Sequence, residues 1–169
     1  MKGEKTMRSR LFKGVLMTVA VMLASVGSAR AHEGCSTAIL RGDYGFAITG
    51  EVLPPAPAPA VLEAGVAMDH FDGRGNITQS DFITLGGVAA VPNDEFRQGG
   101  TGTYTVNSDC TGSASISPAP GAQIEMKFVV VKEGGEILAV VSSLSPAPGV
   151  VVPARITARA VRVRPRLLR

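Results

Sequence analysis

From Ala38 onward, hydrophobic and polar positions alternate with a period of two, and no stretch sustains the 3.6-residue spacing of an amphipathic helix. The β-branched and aromatic residues on these alternating positions predict eight strands, at 38–50, 62–71, 77–88, 101–107, 111–117, 123–131, 137–143 and 150–163. The connections fall into two kinds. Asp72 to Asn76, Asn107 to Gly112 and Lys132 to Glu136 are short turns rich in Gly, Asn and Asp. Glu51 to Val61, Ala89 to Gly99, Ser117 to Ala122 and Leu144 to Gly149 are longer or Pro-rich, and three of them contain Pro-Ala-Pro. In an up-and-down meander the connections alternate between the two ends of the sheet, which gathers the tight turns on one rim and the Pro-bearing loops on the other. Eight antiparallel strands with no helix to cover them would leave two open edges. The expected fold is therefore all-β, a single eight-stranded antiparallel up-and-down barrel, with a two-sheet β-sandwich as the alternative.

Alternation also assigns an inward face. Tyr44, Phe46 and Ile48 share one parity, as do Ile124, Met126, Phe128 and Val130; the second strand offers Val66, Met68 and His70, the fourth Tyr104 and Val106. An eight-stranded barrel is wide enough to be filled by side chains or to hold one small ligand. The same aromatics and methionines read first as plain core; with no Trp and many Gly and Ala in the strands the interior also has room for a residual cavity, whose candidate lining is Phe46, Met68, Tyr104, Met126 and Phe128. Proline in the long loops fixes φ and stiffens the open rim.

Composition adds a compartment. Lys2, Lys5, Arg8, Arg10 and Lys13 precede an apolar run from Val15 to Val26, and small residues follow at Ala29-Arg30-Ala31. This is the pattern of a signal peptide over residues 1–31, too short to span a membrane, so no transmembrane segment is expected. The barrel domain would occupy 32–160 and a basic tail 161–169. The chain's net charge of +3 includes that leader; residues 32–169 carry 11 basic and 13 acidic residues, a net of −2. Arg155, Arg159, Arg162, Arg164, Arg166 and Arg169 all follow Ala154, where no acid occurs. The tail lacks interleaved aromatics and any nucleic-acid motif, so no nucleic-acid partner is expected; contact with an anionic surface is the role it could take. In an oxidising compartment, periplasmic or extracellular, two cysteines form one disulfide, and the meander puts Cys35 and Cys110 on the same tight-turn rim.

Cys35-Ser36-Thr37-Ala38, Leu40-Arg41-Gly42-Asp43-Tyr44-Gly45-Phe46, Phe71-Asp72-Gly73-Arg74-Gly75-Asn76-Ile77-Thr78, Gly102-Thr103-Tyr104-Thr105-Val106-Asn107 and Asp109-Cys110-Thr111-Gly112 together resemble a group of small exported bacterial β-barrel proteins of lipocalin-like or allene-oxide-cyclase-like type. The resemblance covers roughly residues 35–143 and implies the barrel fold. It carries over no catalytic residue, and barrels of this kind host transport, cyclisation or no chemistry at all.

Candidate chemistry is sparse. His32 and His70 are the only histidines; a mature N-terminus at His32 would make an amine-imidazole copper chelate that His70 could complete. Asp72 to Asn76 fails as an EF-hand loop, because Arg74, Ile77 and Ile83 stand at required ligand or glycine positions. No Gly-x-Ser-x-Gly elbow occurs, and a disulfide would leave no nucleophilic thiol. The leading expectation is non-catalytic binding of a small apolar molecule, without a cofactor. A cyclase or isomerase using Tyr44, Tyr104, Asp69 or Glu63 is the first alternative, and a structural envelope module with a filled core the second.

Overall fold

The computed structural model describes residues 34–164; the leader, His32, Arg166 and Arg169 lie outside them. The strands are β1 (Arg41–Val52), β2 (Val61–Asp72), β3 (Asn76–Leu85), β4 (Val88–Ala89), β5 (Arg97–Val106), β6 (Thr111–Ser117), β7 (Gln123–Val131), β8 (Glu136–Ala147), β9 (Val150–Val152) and β10 (Ala154–Arg162). Sequence neighbours pair antiparallel around the sheet, and β10 pairs with both β8 and β1. That double pairing closes an eight-stranded up-and-down barrel and excludes two separate sheets. The short β4 and β9 lie off the ring as flaps on β3 and β8.

Two boundaries differ from the sequence reading. The last strand divides at Pro153, which lacks an N–H; β9 before it folds back on β8, and β10 after it joins the barrel. Strand pairing also runs into the segment 161–169 assigned to the tail: β10 keeps its register through Arg162, opposite Tyr44. At the other end, Thr37–Ile39 forms a 3-10 turn and delivers Leu40, fully buried, into the tight-turn end of the barrel.

That end is closed. A Cys35–Cys110 disulfide ties the N-terminal segment to the β5–β6 turn. The Tyr104 hydroxyl lies within hydrogen-bonding distance of the Thr37 and Leu40 carbonyls, 3.0 and 2.8 Å away. The Tyr44 hydroxyl donates to the Gly134 carbonyl in the β7–β8 turn and accepts from Arg162 Nε, while Arg162 Nη2 donates to the Ile39 carbonyl. Beneath this lid the rings of Tyr44, Phe71 and Tyr104 pack edge to face, with centroids 5.1 and 4.9 Å apart, a preferred aromatic geometry. Phe128 completes this half of the core by lying over Gly112, its cross-strand partner, where any Cβ would collide with the ring. One half of the barrel is therefore solid.

Candidate functional site

The other half is hollow. A cavity of about 280 Å³ runs from the Pro-rich rim into the barrel. Its mouth is built from Val52, Leu85, Ala90, Pro118, Ala122 and Pro146, and its apolar wall from Phe46, Ile48, Ile116, Ile124, Met126 and Ile156. The opposite wall is polar. Alternation along β2, β3 and the start of β5 turns Glu63, Asp69, Gln79, Asp81 and Arg97 into the same space.

These five side chains make a stripe from rim to depth. Asp81 stands in register with both Ala67 of β2 and Arg97 of β5, and Arg97 grips it bidentately, Nε to Oδ1 at 2.8 Å and Nη2 to Oδ2 at 2.5 Å. A bulge in the β3–β5 pairing between Gln79 and Asp81 aims Arg97 at Asp81. Deeper in, Asp69 and Gln79 are direct cross-strand partners. Asp69 is 1% exposed, and its Oδ1 and the Gln79 Oε1 are buried acceptors with no hydrogen-bond partner. Burial pushes the Asp69 carboxyl up to about 7; the Gln79 amide pulls it part of the way back, and the nearby Asp81 charge raises it further. Burial also raises Glu63, near the mouth, with Asp81 adding to the rise and Arg97 opposing it.

The sequence-predicted lining separates into four groups. Phe46 and Met126 lie on the cavity wall. Phe128 is in the solid half, packed in the core. Tyr104 is in the closed end, its hydroxyl committed to the lid, and Tyr44 is held there in the same way, so neither tyrosine is a polar group of the cavity. Met68 is corrected outright: it is 41% exposed on the outer surface, with Val66 and His70, whereas Ala67, Asp69 and Phe71 point inward. The apolar pattern of β2 favours the wrong parity. Pairing with β1 decides it, because the inward Tyr44, Phe46 and Ile48 lie opposite Asp69, Ala67 and Gly65, small or polar partners that leave room for the large side chains.

His70 faces outward, its Nδ1 2.7 Å from Asp43 Oδ1, and the proposed partner His32 lies outside the described residues. Among the described residues no three His, Cys, Asp or Glu side chains gather as a metal site. Asp72 is a turn residue: Oδ1 accepts from the Arg74 and Asn76 N–H groups and Oδ2 from the Asn76 side chain, which hold its carboxyl down at about 2. No helix among the described residues is long and apolar enough to cross a membrane.

The sequence reading missed Gln79 and Arg97 altogether and named Asp69 and Glu63 only as candidates for catalysis. The available signal was parity: once β1 is fixed by its aromatics, antiparallel register places residues 63, 69, 79 and 81 on the inner face.

No protein-family model matches the chain, and no curated protein sequence does. Among solved structures it is similar to an S-type phycobiliprotein lyase from Guillardia theta, at a TM-score of 0.43 and 11% identity over 77% of this chain and 92% of that one.

Proposed function

We propose that this protein is an exported, non-catalytic binder of one small, predominantly apolar molecule, held in the open half of the barrel. The observation that carries the reading is the cavity: it is enclosed by the sheet, open at a single rim and walled mainly by carbon. A dry apolar cavity of about 150 Å³ accommodates benzene, so this volume suits a ligand of about a dozen non-hydrogen atoms. The signal-peptide pattern of residues 1–31 and the disulfide support an oxidising compartment outside the cytoplasm.

Native mass spectrometry of the oxidised protein, before and after denaturation, tests this. The expected result is a mass excess that leaves on unfolding, reduced in an Ala158→Phe variant whose ring fills the cavity from β10. A bare mass in both, together with no uptake of small aromatic probes, sinks the reading in favour of a purely structural barrel.

Asp69 favours one second reading, an isomerase or cyclase in which a carboxyl poised near neutrality moves a proton on a confined substrate. A released ligand that rearranges at constant mass with the wild-type protein, and not with Asp69→Asn, would establish it.

A further inference from the structure

The cavity's polar wall selects a particular kind of ligand, and the inference rests on the binding role proposed above. Three carboxyl groups, Glu63, Asp69 and Asp81, line the space against a single guanidinium, that of Arg97. Arg97 is committed to Asp81 through both Nε and Nη2 and its charge also acts on Glu63, so among the described residues no cation inside is left to answer Asp69. Tyr44, the β1 residue in register with Asp69, has its hydroxyl committed to Gly134 and Arg162.

What remains open is a pair of acceptors. Asp69 Oδ1 and Gln79 Oε1 come from residues directly opposite each other on β2 and β3, and neither receives a hydrogen bond. Buried acceptors without donors are costly, and the cost falls when a ligand supplies the missing protons. A carboxylate or phosphate ligand has no donor to give and is repelled by the excess negative charge. An alcohol offers one donor, which serves one oxygen. An ammonium group offers three donors and a positive charge, which serves both oxygens and neutralises the carboxyl.

We propose that the barrel is a receptor for a small hydrophobic amine, whose protonated amino group docks on Asp69 and Gln79 while its aryl or alkyl body lies against Phe46, Ile116, Met126 and Ile156. Because an ammonium prefers the ionised carboxyl, capture is pH-dependent. Affinity rises with pH through the titration of Asp69 and levels off once that carboxyl is ionised. Glu63, Asp81, Arg97 and Tyr44 are the other titratable groups around it, and Glu63, also held up by burial, steepens the same trend.

Calorimetric titration of the oxidised protein with 2-phenylethylamine, 2-phenylethanol and ethylbenzene tests the idea. Near pH 8 the amine is expected to bind at least about tenfold more tightly than the alcohol, and its affinity to fall by up to about tenfold per pH unit below neutrality. Asp69→Asn should abolish the preference and its pH dependence while still binding ethylbenzene; Glu63→Gln should retain most of both. Equal binding of all three probes overturns the amine assignment and leaves the apolar-carrier reading standing. Selectivity lost in Glu63→Gln but kept in Asp69→Asn overturns the assigned anchor. No binding of any probe overturns both readings.

Discussion

Replacing Asp69 by Asn should make the protein more stable above neutral pH and leave the acid side unchanged. The carboxyl titrates at about 7 in the folded protein against an ordinary 3.8, because it is buried with no cation beside it. Below about pH 4 both folded and unfolded chains hold the proton, and Asp69 contributes no pH-dependent cost. Between about 4 and 7 the unfolded chain releases the proton and the folded one keeps it, so stability falls as pH rises. Above about 7 both are ionised and the loss is complete. At about 1.4 kcal/mol per pH unit, the gap from 3.8 to about 7 amounts to about 4 kcal/mol. Asn matches the shape of Asp, does not titrate, and has an amide that can donate towards Gln79. For a domain of this size about 4 kcal/mol corresponds to a difference in Tm on the order of 15 °C. Urea denaturation of both proteins from pH 3.5 to 8.5 is the assay, read as the difference between the curves. Asp72, Asp109 and Glu136, whose carboxyls are held low, and Glu63, whose carboxyl is raised, act equally in both proteins and cancel. Parallel curves across the range would show that water reaches Asp69 and would refute the buried-carboxyl argument.

Removing the disulfide with Cys35→Ser and Cys110→Ser frees a loop of sequence separation 75, which in the chain-entropy model costs about 4 kcal/mol; a dithiothreitol-dependent fall in Tm that is absent from the double variant checks it. Tyr104→Phe removes the hydroxyl that holds the Thr37 and Leu40 carbonyls and should cost about 1–3 kcal/mol in denaturant melts, with probe binding unchanged because the lid is at the far end from the mouth. Met68→Gln should stay within about 0.5 kcal/mol of wild type and bind probes normally, as expected of an outer-face residue, whereas Met126→Ala should lose about 2 kcal/mol or more and accept larger aromatic probes. If Met68→Gln instead weakens binding, the assigned parity of β2 is wrong.

Much of the architecture was legible because it depends on local chemistry. Period-two alternation marked the strands, Gly, Asn and Asp marked the tight turns, and Pro-Ala-Pro marked the opposite rim, so meander, closure and disulfide could be read together. The site was less legible. Phe46 and Met126 lie on strands whose inner face is plainly the more apolar one. Met68 lies on β2, where Leu62, Ala64, Val66 and Met68 make the outer parity look like core, while Glu63, Gly65 and Asp69 make the inner one look solvent-facing. Tyr104 has an inward parity that was read correctly, but its height in the barrel sets it in the lid instead of the cavity.

The sequence by itself determined that the chain is all-β, which rim carries which loops, and which two cysteines meet, because each of these follows from spacing along the chain. Only the tertiary structure decided which end is filled and which face of β2 is inside. Those depend on cross-strand register and on Arg162, 118 residues from the Tyr44 it helps to hold, arriving beside it to close the barrel floor. A single strand can bury either of its faces; the size and polarity of its neighbours across the ladder choose between them.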